Sequence, residues 1–319
     1  MPALRLAAPS RRRSIRRILA SALLAALATG CNRGGDATSQ PTVGLVLKTL
    51  NNQFFIELEA GAREMADSLA LALLVQAPER EIDVERQMQI VENLLQRKVG
   101  VLALVPSGSR ELVPAVVKAN AAGIPVITVD TRLDGAAVAA AGARVVSFIG
   151  SDNVDGGRMA GRWLVERLDR RGRVAVLEGI PGHETGDARL TGFREALAAA
   201  PGITIVASQT ANWERDQAFN VTQNLLQAHP DLTAIFACND VMALGAVEAI
   251  AAAGRSDRIT VVGFDAQDDA RAAIAAGRMA ATIAQNPREM GRMAMRTAAM
   301  VLRGEAVPAE QPVPIALVR

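Results

Sequence analysis

The 319-residue chain has no tyrosine, and seven phenylalanines and two tryptophans are all its aromatic residues. It holds only two cysteines, Cys31 and Cys238, and two histidines, His183 and His229. Two cysteines exclude a disulfide-built scaffold and a cysteine-based zinc cluster. Two histidines this far apart make a poor metal pair, so no metal is expected. No GxGxxG or phosphate-cradling loop follows a strand-like run, and no serine or cysteine nucleophile motif accompanies His183. A cofactor-dependent or nucleophilic enzyme therefore has the least support, and no cofactor is expected. What the chain does have is apolar mass: 50% hydrophobic residues, enough for packed cores and too much for disorder.

A formal charge of +2 and a pI of about 8.8 suggest a basic surface. Position removes that impression. Arg5, Arg11, Arg12, Arg13, Arg16 and Arg17 precede an apolar run at 18–28 and the small-residue exit Thr29-Gly30-Cys31. That order is a secretory signal peptide over residues 1–30, and its apolar run is short of the roughly 20 residues of a spanning helix. Cys31 stands where a bacterial lipoprotein signal places the lipidated residue, although Ala28 replaces the leucine usual three positions earlier. Cleavage after Ala26-Leu27-Ala28 is the alternative. Residues 31–41 read as a tether. The chain that follows the signal holds 33 acidic side chains against 29 basic ones, a net of −4. Nucleic-acid binding loses its support.

From residue 42 onward, short apolar runs alternate with amphipathic ones. TVGLVLK (42–48), GVLALVP (100–106), IPVITVD (124–130), RVVSFIG (144–150), RVAVLEG (173–179), ITIVASQ (203–209), LTAIFAC (232–238), RITVVGFD (258–265) and MAATIAQ (279–285) suit parallel strands covered on both faces. Helical patterns lie between them. Over 84–99, Val84, Met88, Val91 and Leu95 are expected to form one buried stripe, and 240–254 and 286–304 run from a cap to a glycine. The expected fold is α/β, with two similar parallel-sheet lobes.

Ligands of such sheets sit beyond the carboxyl ends of the strands. Those ends deliver Lys48, Asn51, Asn52, Phe54 and Phe55, then Asp130, Trp213, Asn239, Asp265 and Gln285. Carboxylates, amides and aromatic faces suit neutral polyhydroxylated ligands. Plainer readings stand beside these. Asn51-Asn52 caps a helix whose phenylalanines enter the core, Asp240 caps the helix after Asn239 and frees its neighbour, and Trp213 is a packing residue. A lone acid at a strand end is an ordinary turn former, but Asp130 and Asp265 occupy equivalent contexts. Trp163 and Cys238 read as core. Gly156, Gly157 and Gly161 read as sites of close helix–sheet packing.

KTLNNQFF (48–55), VITVD (126–130), SDN (151–153), ARLTGF (188–193), ASQTANWERD (207–216), CNDVMALGA (238–246), VVGFD (261–265) and ATIAQNP (281–287) resemble, in order, the ribose- and allose-binding proteins of bacterial ABC importers. The resemblance implies the type I periplasmic binding protein fold, with a three-crossing hinge and a monosaccharide held in the interlobe cleft. It implies a first lobe of 42–151 plus 286–312 and a second of 152–285 plus 313–319. Sugar contacts carry over to Asn52, Asp130, Arg189, Asn239, Asp265 and Gln285, and aromatic walls to Phe54, Phe55 and Trp213, with Phe264 adjacent. Lys48 and Trp213 match the allose type, while Thr131 matches neither type and leaves room for a bulkier substituent or a water. The implied partners are a monosaccharide and an inner-membrane ABC permease, with a lipid anchor at Cys31 and a monomeric state. The alternative is a sensor subunit presenting sugar to a chemoreceptor or histidine kinase. A sugar-responsive transcriptional regulator uses the same fold, but an export signal stands where its DNA-binding helices would be.

Overall fold

The computed structural model describes residues 2–3 and 42–319; Cys31, the expected tether and all but two residues of the expected signal peptide lie outside the described residues. From Thr42 onward the chain builds two six-stranded sheets. The first contains β1 (Thr42–Val46), β2 (Ala72–Gln76), β3 (Val101–Leu104), β4 (Val126–Val129), β5 (Ser147–Gly150) and β11 (Glu310–Pro312), in the order β11-β5-β4-β3-β1-β2. The second contains β6 (Gly172–Glu178), β7 (Ile203–Thr210), β8 (Ala234–Ala237), β9 (Thr260–Asp265), β10 (Ala281–Ala284) and β12 (Ala316–Val318), in the order β12-β10-β9-β8-β6-β7. The two orders are the same pattern used twice. Every pairing is parallel except β10 with β12.

The continuous apolar runs are explained by cover on both faces. Val43 and Leu45 of β1, with Leu47 just beyond it, face one core while Val46 faces another. The first core contains α1 (Gln53–Ser68) and α10 (Pro287–Leu302); the second contains α2 (Val84–Gln96) and α3 (Val113–Ala121). A short α4 (Gly135–Ala141) precedes β5. In the second lobe, α5 (Asn153–Arg167), α6 (Glu184–Ala198), α7 (Arg215–Ala228), α8 (Asp240–Ala252) and α9 (Asp268–Ala275) alternate with the strands. The chain passes between the sheets after β5, after β10 and after β11.

Three details differ from the sequence reading. The buried stripe of α2 is Gln87, Ile90, Val91 and Leu94, with Val84, Met88 and Leu95 only partly covered. It is rotated because Gln87 is needed inside, where it bonds backbone groups at the ends of β1 and β3. Asn239, not Asp240, caps α8, accepting from Met242 N at 2.8 Å. Asp240 is buried instead, taking the Thr282 hydroxyl at 2.7 Å and Gln267 N at 2.8 Å. The glycines of α5 serve helix–helix packing more than helix–sheet packing: a Cβ on Gly157 would lie 1.9 Å from the Arg189 carbonyl oxygen.

Candidate functional site

The loops leaving the carboxyl ends of both sheets face each other and enclose a polar cavity. It is lined from the first lobe by Lys48, Asn52, Phe54, Phe55, Glu81 and Asp130, and from the second by Thr185, Arg189, Trp213, Asn239, Asp265 and Gln285. Both β1 and β6 are positions where the strand order reverses, the place an open α/β sheet leaves a crevice.

Local backbone shape aims the acids. Asp130 leaves β4 with φ 63° and Asp265 ends β9 with φ 114°. Positive φ is costly for a side-chain-bearing residue, though aspartate bears it better than most. Asp130 accepts the Thr131 hydroxyl at 2.8 Å and faces Lys48 Nζ at 3.4 Å, both partners being buried. Asp265 accepts from Gln285 Nε2 at 2.8 Å and lies 3.6 Å from Arg189 Nη1. The Asp265 carboxyl is raised to about 7: burial is the largest cause, Arg189 and Gln285 oppose it, and the nearby acids Asp130 and Glu81 add to it.

Arg189 is fixed on three sides. Its Nε donates to Asn153 Oδ1 at 2.9 Å, its Nη1 to the Cys238 carbonyl at 2.7 Å, and its guanidinium lies 3.8 Å from the Phe264 ring centroid. Asn52 combines the two roles left open by its sequence. Its Oδ1 caps α1 by accepting from Phe54 N at 3.0 Å and also takes Gln267 Nε2 from the other lobe at 2.9 Å. Its Nδ2 donates to Glu81 Oε1 at 3.1 Å. Phe54 and Phe55 likewise do both, entering the core as an edge-to-face pair 5.2 Å apart and lining the cavity. Trp213 is held at φ 67°, an outlier for so bulky a residue, with its ring over Gly179 and its Nε1 donating to His183 Nδ1 at 3.2 Å.

Ten of the twelve residues picked from the sequence thus line one cavity, and two do not. Thr131 is fully buried with its hydroxyl turned onto Asp130, so it opens no room for a substituent or water. Phe264 is fully buried in the second lobe's core and is a bed for Arg189 rather than a wall. Glu81 and Thr185 also line the cavity, and neither stands out in the sequence as a site residue. Glu81 follows β2, whose Ala-Leu-Leu-Val-Gln run lacks the β-branched content that marks the other strands. A reading that included this strand would have placed its following acids at the cleft. Burial raises the Glu81 carboxyl, against Lys48 and Asn52. Among the described residues, no group of three or more His, Cys, Asp or Glu side chains is placed to hold a metal ion.

Two α/β lobes closing charged groups, amides and rings over one small cavity define a cleft-binding protein. A family model described as a periplasmic binding protein domain matches residues 43–306, and the chain belongs to that family. It is 40% identical over 296 residues to a ribose import binding protein of Escherichia coli K12, covering 93% of this chain and 96% of that one. It is 36% identical over 253 residues to the D-allose-binding periplasmic protein of the same organism, covering 79% and 81%. A periplasmic solute-binding protein of an ABC transporter from Actinobacillus succinogenes, solved with bound D-allose, superposes with a TM-score of 0.83 at 40% identity, over 88% of this chain and 97% of that one.

Proposed function

We propose that this protein captures a monosaccharide, an allose-like aldohexose or a ribose-like pentose, and presents it to the permease of an ABC importer. The observation that carries this reading is the convergence of Asp130, Asp265, Arg189, Asn52, Asn239 and Gln285 with Phe54, Phe55 and Trp213 on one cavity built from both lobes. Carboxylates accept from hydroxyls, the guanidinium and amides donate, and rings cover the apolar C–H side of a sugar. Hydrogen bonds to charged groups contribute roughly 1.5–3 kcal/mol each. A sugar lacking one hydroxyl, or carrying it as an epimer, leaves a buried partner unmatched and is rejected.

Contacts from both lobes make the ligand favour the closed form, and the three chain crossings between sheets are the hinge in this reading. Direct bonds between lobes add to closure. Gln53 Nε2 donates to Asp268 Oδ2 at 2.6 Å while Asp268 N donates to Gln53 Oε1 at 3.0 Å, and Glu184 N donates to Ser109 Oγ at 3.1 Å. The reading includes export, removal of residues 1–30 and lipidation of Cys31, with the binding domain working as a monomer.

A thermal-shift panel of aldohexoses, pentoses and ketoses on the protein tests the assignment. A ligand at 100 times its Kd adds about 2.7 kcal/mol of stability. No shift with any monosaccharide, from verified ligand-free protein, would overturn it. Mass spectrometry of protein extracted from membranes checks Cys31: a diacylglyceryl mass on an N-terminal cysteine is expected, and an N-terminus at Thr29 would refute the anchor.

A further inference from the structure

His183 stands directly before α6 and is 2% exposed, yet it does not line the cavity. Its two ring nitrogens face different lobes. Trp213 Nε1, in the same lobe, points at Nδ1 from 3.2 Å. Nε2 meets the backbone carbonyl of Ser107, which lies beyond β3 in the first lobe. An indole N–H only donates and a carbonyl only accepts. The imidazole between them must accept at Nδ1 and donate from Nε2, which makes it the neutral Nε2–H tautomer. A second proton, on Nδ1, would set two N–H donors head to head in a site closed to water.

We propose that His183 is a positioning residue that ties the Trp213 ring to closure of the lobes, and that only its neutral form can make the tie. The proposal rests on the sugar reading of the cavity, in which Trp213 is a wall that must be held at a fixed angle as the cleft closes. Without His183, the ring's N–H and the Ser107 carbonyl would both be buried without these partners.

The charges around the ring act in the same direction. Lys48, at the end of β1, disfavours an imidazolium, and Arg189 lies 5.9 Å from the Trp213 ring centroid. Asp130 and Asp265 are occupied with Lys48 and Arg189 respectively, Glu81 bonds Asn52, and burial raises the Glu184 carboxyl toward its neutral form, against the pull of Arg132. Burial first and Lys48 second take His183 down to about 3, against the pull of the Ser107 carbonyl. In an open cleft the first lobe withdraws, taking Lys48 and the Ser107 carbonyl with it. Water reaches the ring, and the imidazole returns toward about 6.5 because the two lowering causes, burial and Lys48, are lost together. A group lowered in the closed state favours closure above its open-state value, and the advantage is lost as pH falls below it. Affinity therefore drops about tenfold per pH unit below roughly 6.5.

The test is calorimetric affinity for D-ribose and D-allose between pH 5.5 and 8, for the wild-type chain and for His183→Gln. Glutamine offers one acceptor and one donor but does not titrate. Asp265 and Glu81 are present in both proteins, so the difference between profiles isolates His183. Wild type should lose about tenfold more affinity than the variant between pH 7.5 and 5.5, and superimposable profiles would overturn the proposal. If neither sugar binds wild type at any pH, the sugar reading fails, and the tie is judged without ligand. In a Trp163→Phe background, Trp213 emission should then titrate with His183 and stay flat in His183→Gln; coincident curves count against it.

Discussion

The guanidinium of Arg189 lies on the ring of Phe264, its Cζ 3.8 Å from the ring centroid. Phe264 is the penultimate residue of β9 and fully buried, so its contribution to the cavity is indirect. One face of the ring holds a cation that Asn153 and the Cys238 carbonyl hold by its edge. Cation–π contacts of this kind contribute about 0.5–2 kcal/mol, more when desolvated.

Removing the ring while keeping an apolar side chain should therefore loosen the cation. Phe264→Leu is expected to lower global stability by about 1–3 kcal/mol and to weaken monosaccharide binding several-fold, although Phe264 does not face the cavity. Calorimetry on the folded variant checks the second effect. Unchanged affinity would mean that Asn153 and Cys238 suffice to hold Arg189.

Asp265 gives a prediction of opposite sign for stability and affinity. Its carboxyl is raised from 3.8 to about 7, so between those values the folded protein holds a proton that the unfolded chain has released. Stability contributed by the protonated form is thus lost as pH rises toward 7. Asp265→Asn removes the burden. The ligand-free variant should melt higher than wild type at pH 8, by an amount on the order of a few kcal/mol, with the advantage fading near pH 4. Sugar affinity should meanwhile fall at least tenfold. A variant that melts lower at pH 8 would show that the Arg189 pair outweighs desolvation.

Much of this arrangement could be read along the chain because it rests on periodicity and on strand ends. The apolar runs of β1, β3, β4, β8 and β9 each pass through a two-faced core, and the polar residues that follow them are where the sheet meets solvent. What escaped the sequence had a different origin. β2 is a leucine- and alanine-rich edge strand, and β11 and β12 are three-residue strands recognisable only once a partner is in place. Asn239 and Asp240 are adjacent and chemically alike, and which one caps is decided by Thr282, 42 residues further on. The inward turn of Gln87 and the bed formed by Phe264 depend on groups distant in sequence.

The second lobe depends on a reciprocal pair of glycines. Cβ atoms at Gly157 on α5 and Gly192 on α6 would lie 1.9 Å from the Arg189 carbonyl oxygen and 1.8 Å from the Val154 carbonyl oxygen. Both obstacles are backbone, so neither can swing aside. Gly157→Ala should force the helices apart at a cost on the order of 1–3 kcal/mol or more. Because the displaced carbonyl belongs to Arg189, sugar affinity should fall along with the melting temperature. A variant with wild-type Tm would show that α6 can slide without loss.

Gln87 joins the core of the first lobe to its cleft. Nε2 donates to the Leu47 carbonyl at 2.9 Å and to the Val105 carbonyl at 2.8 Å, while Oε1 accepts from Ser107 N at 2.7 Å. These groups belong to the segments that leave β1 and β3 toward Lys48 and Ser107. Gln87→Leu would preserve bulk but leave two carbonyls and one N–H without partners in a fully buried position. An unsatisfied buried group costs about 1–3 kcal/mol, so urea denaturation should show a loss on the order of 3–5 kcal/mol once added apolar burial is subtracted. Gln87→Glu separates this from simple misfit. Its carboxylate can still accept from Ser107 N but faces two carbonyls as a non-donor, so the variant should regain stability as pH falls and the acid becomes a donor. A Gln87→Glu protein whose stability relative to wild type is independent of pH between 4 and 8 would remove Gln87 from its place as the link between sheet and cleft.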